Sequence, residues 1–283
     1  MAVGGTVKAT ERYMAMVQEQ AEQRARLVGD AAADAWAGPR ARLFREDPRR
    51  ALDPNLEALA AYVQPRDTVI DVGGGAGRVG LPLALRCREV ITVEPSAGMA
   101  EQFRSLAKEA GIGNVQMVQA GWLEAPEIAG DVVLAAHVTY FVREIEPFVE
   151  KLRRAARRRV MLVLASSPPP NEHSALYQMA YGEPKSPLPG YAELLEVLWE
   201  QGVLPEMRTL PNRSFMAGGL PQTREDAVAR AVAAFEGGDQ EKLRRVIEPN
   251  VDSLYARTAE GYRPTWRSGE RRELLITWET GRV

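Results

Sequence analysis

Residues 69–78 run Val69-Ile70-Asp71-Val72-Gly73-Gly74-Gly75-Ala76-Gly77-Arg78. A short β-branched run carrying one carboxylate passes into glycines at 73, 75 and 77. Leu81, Leu83, Ala84 and Leu85 follow as the apolar positions of a helix. Such a strand, turn and helix have a chemical use. Glycines let the main chain approach a ligand closely, and the helix behind them offers N–H groups and a positive dipole end. Nineteen residues beyond Gly75, Glu94 ends the next apolar run. An acidic residue at that strand tip is placed to hold the two hydroxyls of a ribose.

Two cofactors share this spacing. Gly75-Ala76-Gly77-Arg78-Val79-Gly80 matches the G-x-G-x-x-G dinucleotide fingerprint, which admits an NAD(P)-dependent oxidoreductase. Asp71 weighs the other way. A carboxylate at the strand end repels a pyrophosphate and attracts a sulfonium and an ammonium, so the pattern suits S-adenosylmethionine better.

Outward from this stretch, the apolar runs Thr68–Val72, Glu89–Val93, Val115–Val118, 132–136 and 160–164 alternate with segments of helical character. That order predicts a parallel sheet with right-handed crossovers and helices on both faces. The runs lack polar alternation, as strands buried on both sides do. Upstream, 53–62 predicts a helix with Asp53 as N-cap and Pro54 at its first position. Residues 1–52 predict a helical arm, with apolar positions at Met14, Val17 and Ala21 and then at Ala33, Trp36 and Ala37, broken by Gly29 and Gly38-Pro39. Trp36 and Tyr13 on it either close over a ligand or simply pack.

Downstream, 53–283 forms the main domain, with two additions. Proline-rich stretches predict a lid at about 166–190, where Glu172 and His173 either face substrate or sit in solvent. A helical lobe is expected at about 222–262, with Thr223 as a cap. The apolar run Glu273–Glu279 predicts a late strand pairing with 203–210.

Composition narrows the class. The chain has 283 residues, 45% hydrophobic and 26% charged, which excludes disordered and fibrous types and fits one large domain with an extra lobe. A single cysteine, Cys87, excludes a disulfide framework and fits a reducing cytoplasm, and with two histidines a zinc site needs carboxylates to complete it. A net charge of -2 points away from nucleic acid. The arginines at 153, 154, 157, 158 and 159 fall at a helix end, where cations favour the dipole and solvated positions, and those at 263, 267, 271 and 272 are read the same way. No apolar run approaches the ~20 residues that span a bilayer, and charges within 1–28 break any signal-peptide core.

The stretch from about Asp53 to Leu164 resembles the class I S-adenosylmethionine-dependent methyltransferases. The matching features are the 71–77 loop, Val93-Glu94-Pro95-Ser96, Met99, Gly121-Trp122 after the third strand and 131–137 at the fourth. The resemblance implies a Rossmann-like, doubly wound seven-stranded α/β sheet whose last strand is reversed. It also implies that Asp71 lies near the methionine end of the cofactor, with Gly73, Gly75 and Gly77 beneath it. Glu94 would take the ribose, Pro95 and Met99 would pack the adenine, and Gly121-Trp122 would edge it. Many members carry Asp where Gly121 stands, so here the adenine amino group needs another partner. His137 and Tyr140, with Phe141, follow the fourth strand at the ligand-binding edge of the sheet. His137 is a candidate contact to the methionine moiety, and both His137 and Tyr140 are candidate bases. The acceptor expected by elimination is a small molecule. A non-catalytic S-adenosylmethionine-binding protein stays open beside the enzyme.

Overall fold

The computed structural model describes residues 7–29, 34, 36, 39–212, 219–235, 237–266 and 271–281. Ala33, Ala37, Gly38 and Arg267, named above, lie outside them.

In chain order the elements are α1 (Ala9–Val28), α2 (Pro39–Arg42), α3 (Pro54–Ala60), β1 (Thr68–Val72), α4 (Gly80–Ala84), β2 (Glu89–Val93), α5 (Ala97–Glu109), β3 (Val115–Val118) and β4 (Gly130–Ala136). There follow α6 (Ile145–Ala155), β5 (Ala156–Ala165), α7 (Ser174–Tyr181), α8 (Tyr191–Glu200), β6 (Glu206–Thr209), α9 (Arg224–Ala233), α10 (Gln240–Ile247), α11 (Val251–Leu254), β7 (Tyr255–Thr258), β8 (Gly261–Pro264) and β9 (Glu273–Glu279).

Seven strands form one sheet in the order β3-β2-β1-β4-β5-β9-β6. β9 runs antiparallel to both β5 and β6, and the remaining pairs are parallel. The late strand and its partner at 203–210 are thus where the apolar pattern put them. Period-2 geometry explains the runs without polar alternation. Ile70, Val133, Ala135, Val160, Leu162 and Ile276 enter one core with α1, α6 and α8. Val69, Val132, Leu134, Met161, Val163 and Leu275 enter the other with α3, α4 and α5. Each strand is covered on both sides, so both phases of the alternation must be apolar.

Local signals fix several ends. Asp53 accepts the amides of Asn55 and Leu56, with Pro54 in the first turn of α3. Ser96 caps α5 through the Met99 amide. Thr223 and Asp226 form the capping box of α9.

Three expectations need correction. α1 buries Tyr13, Val17 and Gln20, while Ala21 is exposed. Its docking is polar as well as apolar, with the amides of Ala9 and Thr10 donating to Glu200 on α8. β5 starts at Ala156, not at 160, because Ala156 already pairs with Gly130 of β4 and Arg159 with Glu279 of β9. The lobe is not helical throughout, since β7 and β8 form an antiparallel hairpin. The segment at 166–190 and the lobe share one small core, in which Leu176 and Tyr177 of α7 pack with Val228, Phe235, Leu243 and Ile247.

Candidate active site

β1 is the topological switch point of the sheet: β2 and β3 lie on one side and β4 on the other. The loops leaving β1 and β4 therefore diverge, which opens a crevice at the carboxyl edge. A cavity of about 370 Å³ fills it, lined by residues that include Asp71, Gly73, Gly74, Gly75, Glu94, Pro95, Met99 and His137. Seven residues from three separate strand ends, and Met99 of α5, are thus brought together.

The glycine loop explains itself residue by residue. Gly73, Gly75 and Gly77 have φ of +67°, +55° and +88°, a region costly to side chains with a Cβ. A Cβ on Gly73 would lie 2.5 Å from Val138 Cγ2, and one on Gly77 would lie 2.5 Å from Leu81 Cγ. A Cβ on Gly75 would meet only Met99 Sδ at 3.8 Å, so this position borders open cavity. Gly77 serves the turn and the packing of α4 rather than the cavity wall.

Glu94 closes the loop. Its Oε2 accepts the Gly75 N–H at 2.9 Å and its Oε1 accepts the Ser96 N–H at 2.8 Å. Burial pushes its pKa up, and the Ser96 and Gly75 amides oppose that shift.

Asp71 departs from expectation. Its carboxyl is buried beneath the loop, 1% exposed, against Gly74 and Gly80. A Cβ on either glycine would stand 2.5 Å from Asp71 Oδ2. The third glycine of the apparent dinucleotide fingerprint, Gly80, is thus required by Asp71. Burial first, and Glu94 second, push the Asp71 pKa up to about 7. The simple picture of a fixed negative charge at the strand end therefore changes.

The arm supplies a wall. Trp36 and Phe44 line the cavity, with ring centroids 5.5 Å apart in an edge-to-face pair, and pack with Ala76 and Met99. Asp34 Oδ2 accepts the Ser96 hydroxyl at 2.9 Å, which ties the arm to the start of α5. Tyr13, by contrast, is core: its hydroxyl donates to the Thr139 carbonyl at 2.7 Å.

Gly121 and Trp122 do not line the cavity. Trp122 is 5% exposed, packs in the core of α6 and α8, and donates Nε1–H to the Phe148 carbonyl at 3.3 Å. Its indole needs that acceptor once buried, which turns it into the core and away from the cavity. Tyr140 is equally unsuited to act as a base. It is 1% exposed, its hydroxyl accepts the Ala165 N–H, and burial raises its pKa. His137 does line the cavity, with Nε2 2.8 Å from Glu273 Oε2 on β9. Glu172, in the segment at 166–190, pairs with Arg271 at 3.3 Å.

Sequence reasoning missed Glu273, Phe44 and Asp34. Glu273 lies 136 residues from His137, and no local pattern links them. The arginine cluster is consumed by ion pairs: Arg153 with Glu150, Arg154 with Glu127, Arg157 with Asp131, Arg158 with Asp67 and Arg159 with Glu279. Among the described residues, no helix is long and apolar enough to cross a membrane.

Comparison with known proteins agrees with this geometry. The family described as a methyltransferase domain matches residues 69–159, which run from β1 into β5. A protein of Haemophilus influenzae without an assigned function is 25% identical over 234 residues, covering 81% of this chain and 82% of its own. The YcgJ protein of Bacillus subtilis superposes with a TM-score of 0.53 at 18% identity, over 80% of this chain and 97% of its own. A Bacillus halodurans structure described as a methyltransferase of presumed function gives 0.54 at 16% identity, over 80% and 96%. These likenesses establish the Rossmann-like methyltransferase fold.

Proposed function

We propose that this protein is an S-adenosylmethionine-dependent methyltransferase acting on a small-molecule acceptor. One observation carries the reading: Glu94 and the Gly75 amide meet at the switch point of a sheet in the methyltransferase strand order, at the wall of a cavity sized for a small ligand.

The residues fit the cofactor. Each Glu94 oxygen uses one lone pair on a backbone amide and keeps another for a ribose hydroxyl. The open side of Gly75 admits close approach of a ligand, and Pro95, Met99 and Trp36 offer apolar surface to an adenine ring. Asp71, poised near pH 7, ionises in the field of a cation. When bound, S-adenosylmethionine supplies a methyl group on a sulfonium, already a good leaving group. The protein's task is then alignment and exclusion of water. Val138, Phe141 and Val142 give the rest of the cavity an apolar wall, which favours an acceptor with an apolar body. A reducing cytoplasm is the proposed setting, on the strength of the single cysteine.

The dinucleotide reading loses its main support once Gly80 is explained by Asp71. Incubating the protein with S-adenosylmethionine and a panel of small hydroxyl, amine, thiol and carboxylate compounds tests transfer. Acceptor-dependent release of S-adenosylhomocysteine is expected, and cofactor binding without turnover on any of them would favour a sensing role.

A further inference from the structure

We infer that the outer edge of β6 is a self-association surface, and that its partner is the β6 edge of a second copy of this chain, paired antiparallel about a two-fold axis through Met207. The inference goes beyond the methyl-transfer reading and does not depend on it.

β6 ends the sheet, and among the described residues β9 is the one strand beside it. Its residues, Glu206–Thr209, are all exposed. One hydrogen bond fixes the direction of its main-chain groups. The Leu210 N–H donates to the Glu273 carbonyl at 2.8 Å, so Leu210, and with it Arg208 and Glu206, turn their amides and carbonyls toward β9. Met207 and Thr209 therefore direct theirs outward. So does Pro205, which has a carbonyl to offer but no N–H. An edge of this kind is a template for another strand.

The side chains select that strand. Met207 stands beside Ile276 on the face covered by α8, while Glu206 and Arg208, beside Thr277 and Leu275, share the face covered by α3. Of the two-fold antiparallel registers, only the one centred on Met207 sets Glu206 opposite Arg208 of the second copy, and symmetry repeats the pair. In that register Met207 exchanges both main-chain hydrogen bonds with its counterpart, and the Thr209 N–H meets the Pro205 carbonyl of the second copy. Glu206 and Arg208 then fall at the non-hydrogen-bonded positions, where Cα atoms approach to about 4.5 Å and opposite charges attract across the strands. The exposed Arg208 side chain donates one long hydrogen bond, 3.3 Å to the Ala58 carbonyl, and its guanidinium has further N–H groups for a carboxylate.

Apolar surface collects at the same corner. Trp199, Leu204 and Met207 are all exposed, Leu204 at 84%, between the end of α8 and β6. The two-fold axis sets Met207 against Met207 of the second copy, with Trp199 and Leu204 on the approach to the seam. Two seven-stranded sheets become one continuous sheet. β5 and β9 separate β6 from β4, so the ligand cavities stay clear of the seam and open at opposite edges of the joined sheet. So short a strand buries less than the roughly 1,200 Å² of a stable interface, which makes the association reversible and concentration-dependent.

Sedimentation velocity on the intact protein, from low micromolar to several hundred micromolar, tests the inference, with amide hydrogen exchange read at both ends of that range. A monomer–dimer equilibrium is expected, in which the Met207 and Thr209 amides gain protection at high concentration. Glu206→Arg and Arg208→Glu should each weaken the dimer by roughly tenfold, and the two together should restore it. Met207→Pro removes an N–H that faces away from β9, so it should abolish the dimer with thermal unfolding little changed. A monomer at every concentration overturns the inference, as does assembly beyond two copies. A dimer indifferent to the folded charge reversals and to Met207→Pro overturns it too. Should those variants fail to fold, the wild-type exchange pattern decides, and protection gained elsewhere but not at Met207 and Thr209 refutes the proposed seam.

Discussion

Glu94 Oε2 accepts the amide hydrogen of Gly75 at 2.9 Å, so the tip of β2 holds the loop that leaves β1. The same carboxylate holds the Ser96 amide through Oε1. Glu94 thus shapes the cavity floor while keeping lone pairs for a ligand.

Glu94→Ala removes both functions. Two hydroxyl contacts to a charged group are each worth about 1.5–3 kcal/mol, so S-adenosylhomocysteine affinity should fall by roughly 100-fold or more. Calorimetry on the folded variant measures this. Unchanged affinity would take Glu94 out of the site.

Asp71 makes stability depend on pH in an unusual direction. Its pKa in the folded protein is pushed up to about 7 from 3.8, so between these values the folded state binds more protons than the unfolded state. Stability must then fall as pH rises through that window, by a few kcal/mol in all at about 1.4 kcal/mol per pKa unit. The raised pKa of Glu94 acts in the same direction. Urea unfolding of the ligand-free protein at a series of pH values checks the slope, which Asp71→Asn should flatten. A wild type that gains stability across this window, with Asp71→Asn giving the same curve, would contradict the assignment.

The loop glycines should separate by role. Gly75→Ala costs roughly 1–2 kcal/mol for positive φ and projects a methyl group into the cavity, so ligand affinity should suffer more than folding. Gly77→Ala drives its Cβ into Leu81 and Phe103, at 2.5 and 2.8 Å, and should cost stability by about 2–4 kcal/mol. Thermal unfolding and calorimetry on both variants decide, and equal effects in the two assays would refute the division.

Trp122 and Trp36 should behave as opposites. Trp122→Phe loses a buried hydrogen bond and core volume, lowering stability by about 1–3 kcal/mol with ligand affinity intact. Trp36→Ala should weaken S-adenosylhomocysteine binding with a smaller effect on unfolding. If Trp122→Phe instead abolished binding in a folded protein, Trp122 would belong to the adenine wall after all.

How far the sequence could be read follows from how local each signal is. The β1 loop and Glu94 lie within 24 residues, and the glycines announce a turn that only they can make. β9 is legible because Leu274, Leu275, Ile276 and Trp278 cluster within seven residues, and 274–276 run without the polar alternation of a half-exposed strand. Trp122 was ambiguous because an indole just past a strand can turn either way, and the Phe148 carbonyl that decides the matter comes from another helix. Glu273 was invisible for the same reason on a larger scale. It opens an apolar strand and looks like a solvated end, yet the antiparallel pairing with β5 buries it beside His137. Gly80 misled, because its lack of a side chain answers to Asp71 below it and not to a pyrophosphate.

The most direct test of the central claim is calorimetric titration of the purified protein with S-adenosylmethionine, S-adenosylhomocysteine and NADH in parallel, after a check for copurified cofactor. Saturable binding of the two adenosyl ligands and none of NADH is the predicted result. Saturable binding of NADH, with no heat from either adenosyl ligand, would contradict the account and require the site to be reinterpreted around hydride transfer.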